Sequence, residues 1–258
     1  YTLWHTLSLH DALPISHIRQ LYMAGGEALI IKEYEQLLDK IKQMGYADQV
    51  VLRYNSNGLN VTNRLIDKWD AFKQVKFHFS LDSIEYMNTY IRYPSVFYDV
   101  MEKLRMLDNS WYNTEVTIAC AVQVLNIYYI PDLIIWKLNQ GYKKINKYPA
   151  GAGLINFHLV YLPHFFNVKV LPQWFKEKTA EKYERLYEVL KDYDNYHLYK
   201  NDAYGIPRLK GLINFMMSDD WSYRLPELKE FVSILDKIRG TNFYRVFPEM
   251  NDIFKNGA

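Results

Sequence analysis

The sequence predicts an α/β fold in which helices connect the strands of a parallel sheet. From His17 onward, short apolar segments alternate with amphipathic helical segments, the order typical of βα units. Residues 115–125 form a long apolar run, as in a strand whose two faces are both covered. The chain has 258 residues, of which 49% are apolar, and this is enough for one large domain with a sizeable core.

Five predicted strands and their connecting helices follow one another along the chain. The strands are predicted at residues 18–24, 49–54, 75–81, 115–125 and 155–162. The helices between them are predicted at residues 32–44, 61–72, 95–107 and 131–139, with Ser95 as the N-cap of the third. Beyond the fifth strand only helices are predicted, at residues 172–193, 206–217 and 226–239. We therefore expect a βα core at residues 17–170 and a C-terminal helical extension at residues 171–258.

The third predicted strand alternates apolar and polar residues, and this alternation indicates where a ligand would lie. Successive strand side chains point to opposite faces, so the apolar set should pack beneath the crossover helices and the polar set should face the interior. The polar set comprises Lys76, His78, Ser80 and Asp82. Arg53 with Asn55, and Asn156 with His158, should share faces in the same way. Because a closed small barrel has a branched apolar interior, this pattern favours an incomplete barrel with a polar ligand over an open doubly wound sheet.

Charge and composition argue against several classes of partner and site. The net charge of +2, from 31 basic and 29 acidic residues, does not predict nucleic-acid binding, because such grooves show a clustered basic excess. No apolar run reaches the roughly 20 residues of a membrane-spanning helix, so we expect a cytoplasmic protein without membrane contact. Cys120 is the only cysteine, which excludes a disulfide framework and a complete cysteine-ligated cluster within this sequence.

The first sixteen residues differ in character from the rest of the chain. They show neither helical nor strand periodicity, and no signal-peptide pattern. Residues 7–16 resemble the translation of one frame of a common sequencing adapter. We therefore expect residues 1–16 to be non-native and the native protein to begin upstream, with a genuine N-terminal arm as the alternative. On this hypothesis His5, His10 and Asp11 are not metal ligands.

Three short motifs occur at the ends of three consecutive predicted strands. In chain order they are Gly25-Gly26-Glu27, Asn57-Gly58 and Ser80-Leu81-Asp82. This series resembles the radical S-adenosylmethionine (radical SAM) superfamily, and residues 235–249 resemble the end of its twitch-domain (SPASM-like) subgroup. The resemblance covers residues 17–258. It implies a partial (βα)6-type barrel that lacks its first βα unit and carries C-terminal helices.

The resemblance also implies residues that bind S-adenosylmethionine. They are Gly25, Gly26, Glu27, Asn57, Ser80, Asp82, Arg92, Val124 and Asn126. The first three match the motif for the methionyl ammonium group, and Asn57 matches a polar residue near the cofactor. Ser80 and Asp82 match positions near the ribose and carboxylate, and Arg92 is a candidate partner of that carboxylate because guanidinium pairs with carboxylate in a fork. The last two residues are the expected adenine contacts.

The implied reaction is reductive cleavage of S-adenosylmethionine by a 4Fe–4S cluster, which yields a 5′-deoxyadenosyl radical that abstracts hydrogen from a substrate. The twitch-type relatives suggest a peptide or protein substrate, and the reaction needs a reductant such as a flavodoxin or ferredoxin. The Cys-x3-Cys-x2-Cys motif and the auxiliary-cluster cysteines are absent here. We expect them upstream, so this chain alone should be inactive. Ala28 stands where the motif usually has proline, which predicts a looser position for Glu27.

Other residues and other functions stay open from the sequence. His78 and His158 are candidate substrate contacts or acid–base groups, and each is equally a candidate for a hydrogen-bonded core histidine. Cys120 lies in an apolar strand and is expected to be an inert buried thiol. Two alternatives to the radical SAM function remain. One is a (βα) barrel enzyme without a cluster that binds a phosphate or sugar, and the other is a non-catalytic module that has lost its cluster.

Overall fold

The computed structural model describes residues 17–23, 27–146 and 154–254, and within them the chain has an α/β fold. One five-stranded sheet forms its centre, and every pair of neighbouring strands is parallel. The strands are β1 Gln20–Met23, β2 Val51–Ser56, β3 Gln74–Ser80, β4 Thr114–Val122 and β5 Asn156–Leu159. The predicted α/β class and parallel sheet are therefore confirmed.

Ten helices accompany the sheet in the described part of the chain. They are α1 Lys32–Gln43, α2 Asn63–Trp69, α3 Glu85–Ile91, α4 Phe97–Asp108, α5 Ile130–Asn139, α6 Gln173–Leu190, α7 Tyr196–Asn201, α8 Ile206–Met217, α9 Leu225–Arg239 and α10 Phe243–Val246. The predicted capping role of Ser95 is wrong. Helix α4 starts two residues later with Val96 at its N-cap position, and no side chain caps it.

The strands lie in the sheet in the order in which they occur in the chain, from β1 to β5. Crossovers between parallel strands are almost always right-handed, so steps that all run in one direction place their helices on one face. A doubly wound sheet instead reverses direction at a switch point. The sequential order therefore excludes the doubly wound alternative for this sheet and places the crossover helices of the described residues on one face.

Burial along β3 shows the difference between the two faces. Val75, Phe77 and Phe79 are at most 1% exposed, whereas Lys76 and His78 between them are partly exposed. The predicted alternation is thus confirmed within β3, where the apolar set forms the core under the helices. Asp82, which was predicted to belong to the same polar set, lies beyond the end of β3 and is 4% exposed.

Large aromatic side chains fill the covered face. The Tyr54 ring stacks on Phe77 with 5.5 Å between centroids, and its hydroxyl accepts a hydrogen bond from Trp69 Nε1 at 2.9 Å. The Tyr54 hydroxyl also bonds that of Tyr34 on α1. Each polar atom of these rings that enters the core therefore has a partner, as buried polar groups require.

The C-terminal helices pack against the βα core. Tyr183 of α6 donates its hydroxyl proton to Ile127 O at 2.9 Å. Phe247, after α10, packs edge-on against Tyr90 of α3 with centroids 5.3 Å apart. Arg239 at the end of α9 donates to Tyr90 O at 3.0 Å. Hydrophobic contacts are therefore continuous across residue 170, the expected boundary of the extension.

Candidate functional site

The face of the sheet opposite the crossover helices is lined with polar side chains, and we call it the polar face. It comprises Tyr22, Arg53, Asn55, Lys76, His78, Ser80, Glu115, Thr117, Asn156 and His158. The strand register places Arg53 beside Lys76, and it places Asn55, His78 and Thr117 in one row. Sequence alternation predicted which residues share a face, and the register adds which of them are neighbours.

Glu27 follows β1 and presents its carboxylate at the carboxyl edge of the sheet. Oε1 accepts a hydrogen bond from Ser56 Oγ at 2.7 Å, and Oε2 accepts one from the Asn57 backbone N–H at 3.1 Å. The carboxylate is thus tied to the end of β2, in partly buried surroundings. The glycines predicted to bind beside it, Gly25 and Gly26, lie outside the described residues.

Ser56 is a site residue that the sequence analysis missed. It has the same strand parity as the core residues Leu52 and Tyr54, and it is 3% exposed, so its position predicts a core role. Because it is the last residue of β2, its hydroxyl instead reaches Glu27 and also accepts a hydrogen bond from Gly58 N at 2.9 Å. Its position next to Asn57, at the end of a predicted strand, could have identified Ser56 as a site residue.

The turn after β2 holds Asn57 at the same edge. Asn57 Oδ1 accepts a hydrogen bond from Leu59 N at 3.0 Å, and Nδ2 has no protein partner within the described ranges. Gly58 has φ 72°, and a Cβ there would lie 2.1 Å from Phe79 Cε2. Glycine is therefore required by both backbone conformation and space. The turn therefore fixes Asn57 at the strand end where its backbone N–H binds Glu27.

Asp82 and Arg92, both predicted to contact the cofactor, contact each other. Asp82 Oδ2 lies 2.8 Å from Arg92 Nε, so the two groups form an ion pair. The Arg92 Nε–H does not point at the carboxylate and makes no hydrogen bond to it. Asp82 Oδ1 accepts a hydrogen bond from Ala121 N at 2.7 Å. Burial raises the pKa of Asp82, and the charge of Arg92 and the Ala121 N–H act against that rise. The Ala121 bond fixes the end of β3 to β4, and a cofactor carboxylate at Arg92 would share that guanidinium with Asp82.

Asn88 supports the same strand end and was also missed by the sequence analysis. Its Oδ1 accepts hydrogen bonds from the backbone N–H groups of Asp82 and Ser83, at 3.1 and 3.3 Å. It lies in α3, a helix that was not predicted. Helix α3 therefore orders the loop that carries Asp82.

Val124 and Asn126, the expected adenine contacts, are both 0% exposed. Asn126 Nδ2 donates to Asp82 O at 3.0 Å and to Ala121 O at 2.9 Å, and its Oδ1 accepts from Gln123 N at 2.8 Å. These bonds join the ends of β3 and β4. An adenine contact would therefore involve the backbone of this segment, because neither side chain reaches the surface.

His78 and His158, the candidate substrate contacts, both lie on the polar face. His78 Nδ1 and Thr117 Oγ1 are hydrogen-bonded at 2.7 Å, while Nε2 is buried and has no partner in the part of the chain that the structure describes. The pKa of His78 is lowered to about 4, mainly by burial and then by the positive charges of Arg53, His158 and Lys76, in that order. His78 is thus neutral near pH 7, with one ring nitrogen available. His158 is exposed.

Arg53 and Lys76 are the two permanent cations of the polar face. The Arg53 guanidinium lies over the Tyr22 ring, 5.4 Å from its centroid, and Arg53 Nε is buried without a hydrogen-bond partner in the described ranges. Among described residues, neither cation has a carboxylate oxygen within 4.0 Å. Glu115 is the register neighbour of Lys76 on β4, and it accepts a hydrogen bond from Gln74 Nε2 at 3.2 Å.

The described residues offer no ready metal site. No group of three or more His, Cys, Asp or Glu among them is arranged to hold an ion. The Cys120 thiol is free and fully buried, and burial raises its pKa, so the prediction of a buried thiol is confirmed. Within the same ranges, no helix combines the length and apolar character that a membrane span requires.

Comparison with protein-family models, with curated proteins and with solved structures finds no match to this chain. The polar face and the carboxyl edge are therefore interpreted from their own geometry. Two groups stand out there, a tethered carboxylate at the edge and a pair of cations deeper on the face.

Proposed function

We propose that this chain is the S-adenosylmethionine- and substrate-binding part of a cytoplasmic radical SAM enzyme, with its sheet forming part of a (βα)6-type barrel wall. The observation that carries the proposal is the Glu27 carboxylate, held at the carboxyl edge by Ser56 and Asn57. In parallel α/β sheets, ligands bind at this edge. The sequential strand order and the polar face, which a barrel interior would need for a polar ligand, support it further.

The residues at the edge fit S-adenosylmethionine. A carboxylate has about four lone-pair positions. Hydrogen bonds from Ser56 Oγ, Asn57 N and Leu29 N occupy three of them, so Glu27 can still accept one from an ammonium group. Asn57, whose backbone N–H binds Glu27, adds a side-chain amide at the same strand end. Ser80, partly exposed at the end of β3, supplies a hydroxyl on the next strand. Glu27 would bind and orient the methionyl end, while Asp82, Arg92 and Asn126 keep the neighbouring strand ends rigid.

The residues described here do not fit an iron–sulfur cluster. Cys120 is the only cysteine and lies in the core, where its thiol is inaccessible. The proposal therefore assigns the 4Fe–4S cluster to cysteines that are not in this sequence. Next to such a cluster, bound S-adenosylmethionine supplies a 5′-deoxyadenosyl radical for hydrogen abstraction. The proposed substrate is a peptide or protein, and the proposed reductant is a flavodoxin or ferredoxin.

Equilibrium dialysis of labelled S-adenosylmethionine against the 258-residue chain tests the proposal. We expect Glu27→Gln to weaken binding by about tenfold or more, because a hydrogen bond to a charged group contributes about 1.5–3 kcal/mol. Glu33→Gln, an exposed carboxylate on the adjacent helix α1, is the matched control and should bind like the parent chain. Binding that is undetectable in the parent chain, or equal in both variants, would contradict the assignment.

A second candidate function is a (βα) barrel enzyme without a cluster that binds a phosphorylated ligand. The neighbouring cations Arg53 and Lys76 favour it, because guanidinium and ammonium groups are the usual partners of phosphate. This candidate predicts that the chain binds phosphate but not S-adenosylmethionine, so the same dialysis with both ligands separates the two functions.

A further inference from the structure

The geometry points to an anion-binding site on the polar face, formed by Arg53, Lys76 and His78, that holds a carboxylate or phosphate group of the substrate. The identification of the bound group as part of a substrate rests on the proposed function. Anion binding itself depends only on the residues of the polar face.

The first argument is charge. Arg53 and Lys76 are register partners on β2 and β3, so their strands are about 4.8 Å apart at this point and their side chains leave the sheet on the same face. Like charges placed directly beside each other repel, and partial burial strengthens the repulsion. An external anion between the two side chains would remove this repulsion.

The nearby carboxylates form no ion pair with either cation in the described residues. Glu115 is beside Lys76 on β4, but its Oε2 accepts from Gln74, and no carboxylate oxygen of the described residues lies within 4.0 Å of either cation. Glu27 is tied to the carboxyl edge by Ser56 and Asn57. The end of the cation pair that faces His78 therefore has no acidic neighbour in ion-pair contact.

The second argument is the set of unused donors. Arg53 Nε and His78 Nε2 are both buried and lack partners in the described part of the chain. Most buried polar atoms in proteins have a partner, so two unpartnered ring and guanidinium nitrogens on one face indicate a ligand. The His78 Nδ1–Thr117 bond lets Nε2 carry the proton, in which case it donates to an anion.

The guanidinium is also held in position. It lies over the ring of Tyr22, whose hydroxyl accepts a hydrogen bond from Asn55 Nδ2 at 2.8 Å. A guanidinium over an aromatic ring can still present its planar fork of donors, and this fork matches the two oxygens of a carboxylate or phosphate. Tyr22 and Asn55 therefore act as positioning residues for Arg53.

The site is separate from the cofactor edge. Arg53 is three residues before Ser56, the partner of Glu27, and this spacing corresponds to about 10 Å along an extended strand. An anionic group bound at Arg53 would leave the edge free for another molecule. The distance is that of a substrate and a cofactor lying side by side over one sheet.

Titration of the 258-residue chain with inorganic phosphate and, separately, with succinate tests the inference by isothermal calorimetry. We expect one site for the better-fitting probe, at least tenfold weaker binding in Arg53→Gln and in Lys76→Gln, and weaker binding at higher salt. Arg185→Gln and Lys229→Gln, exposed cations on α6 and α9, are the matched controls and should stay within twofold of the parent. The tighter probe identifies the substrate group as phosphate or carboxylate.

Two outcomes would overturn the site: no binding of either probe, or an equal loss in the control variants. Loss of folding is not expected, since removing one of two repelling charges should leave the variants at least as resistant to urea. The imidazole signals of His78 provide a second measurement. A bound anion favours the protonated ring, so the pKa of His78 must rise when the probe saturates, against the opposing charges of Arg53, Lys76 and His158.

The two proposals fail separately. Phosphate or succinate binding without S-adenosylmethionine binding keeps the anion site and rejects the radical SAM function. Glu27-dependent binding of S-adenosylmethionine, without binding of either probe, keeps the radical SAM function and rejects the anion site.

Discussion

The two faces of the sheet are built from alternate residues of the same strands, yet they differ in how fully their groups are paired. On the covered face, Tyr54, Trp69 and Phe77 pack ring against ring, and the Tyr54 hydroxyl has two partners. On the polar face, Arg53 and His78 keep nitrogens without partners in the described ranges. Substitutions at one set of alternate residues in a strand should therefore change stability, and substitutions at the other set should change ligand binding.

The largest effect is expected on the covered face. Phe77→Ala should lower the free energy of unfolding by about 3–5 kcal/mol, the usual result of deleting a fully buried aromatic ring. Phe77 is 1% exposed and contacts the rings of Tyr54, Trp69 and Phe79. Urea unfolding followed by circular dichroism measures the change. A loss below about 1 kcal/mol would show that the ring cluster contributes little to the stability of the core.

The second effect lies where the covered face meets the carboxyl edge. Gly58→Ala should cost about 2–4 kcal/mol, since it adds left-handed backbone strain to a clash with the Phe79 ring. Gly240→Ala is the matched control, with φ 64° and nothing within 4 Å of the added Cβ, and it should cost about 1 kcal/mol. Equal losses in the two variants would show that strain alone, and not the close approach to Phe79, requires glycine at position 58.

The third effect is expected on the polar face and appears only as a pH dependence. The pKa of His78 is lowered from 6.5 to about 4 in the folded chain, so below pH 6.5 the unfolded chain binds a proton that the folded chain does not. The free energy of unfolding should therefore fall as the pH drops from 6.5 towards 4, and level off below that. His78→Gln should flatten this part of the profile, while His197→Gln, an exposed histidine on helix α7 away from the polar face, should not. Urea midpoints at half-unit pH steps measure it.

Residue periodicity was sufficient to predict which residues lie on each face of the sheet. The alternation of residues 75–81 identified both faces of β3, and the positions of most helices followed from apolar spacing and turn residues. The class of the fold followed from the same pattern. These features are local, because side-chain direction in a strand depends only on sequence parity.

Which residues of a face are neighbours depends on contacts between residues that are distant in the sequence. Arg53 and Lys76 are neighbours only because β2 and β3 pair in one register, and a shift of one residue would have placed Arg53 beside a core position. Helix α3 was missed because it has seven residues, starts at Glu85 with φ 47°, and has no side-chain cap. Its Asn88 and Arg92 nevertheless complete the surroundings of Asp82.

The contacts of α3 with the end of the chain have a consequence for the order of folding. Tyr90 accepts a hydrogen bond from Arg239 and packs on Phe247, residues that are 149 and 157 positions later in the chain. Contacts of such long sequence separation form slowly, because the loop between them must first close. During synthesis, the C-terminal helices leave the ribosome after the whole sheet has been made. The loop that holds Asp82 should therefore reach its final rigidity only after residues 239–247 have been synthesised, well after the strands on either side of it.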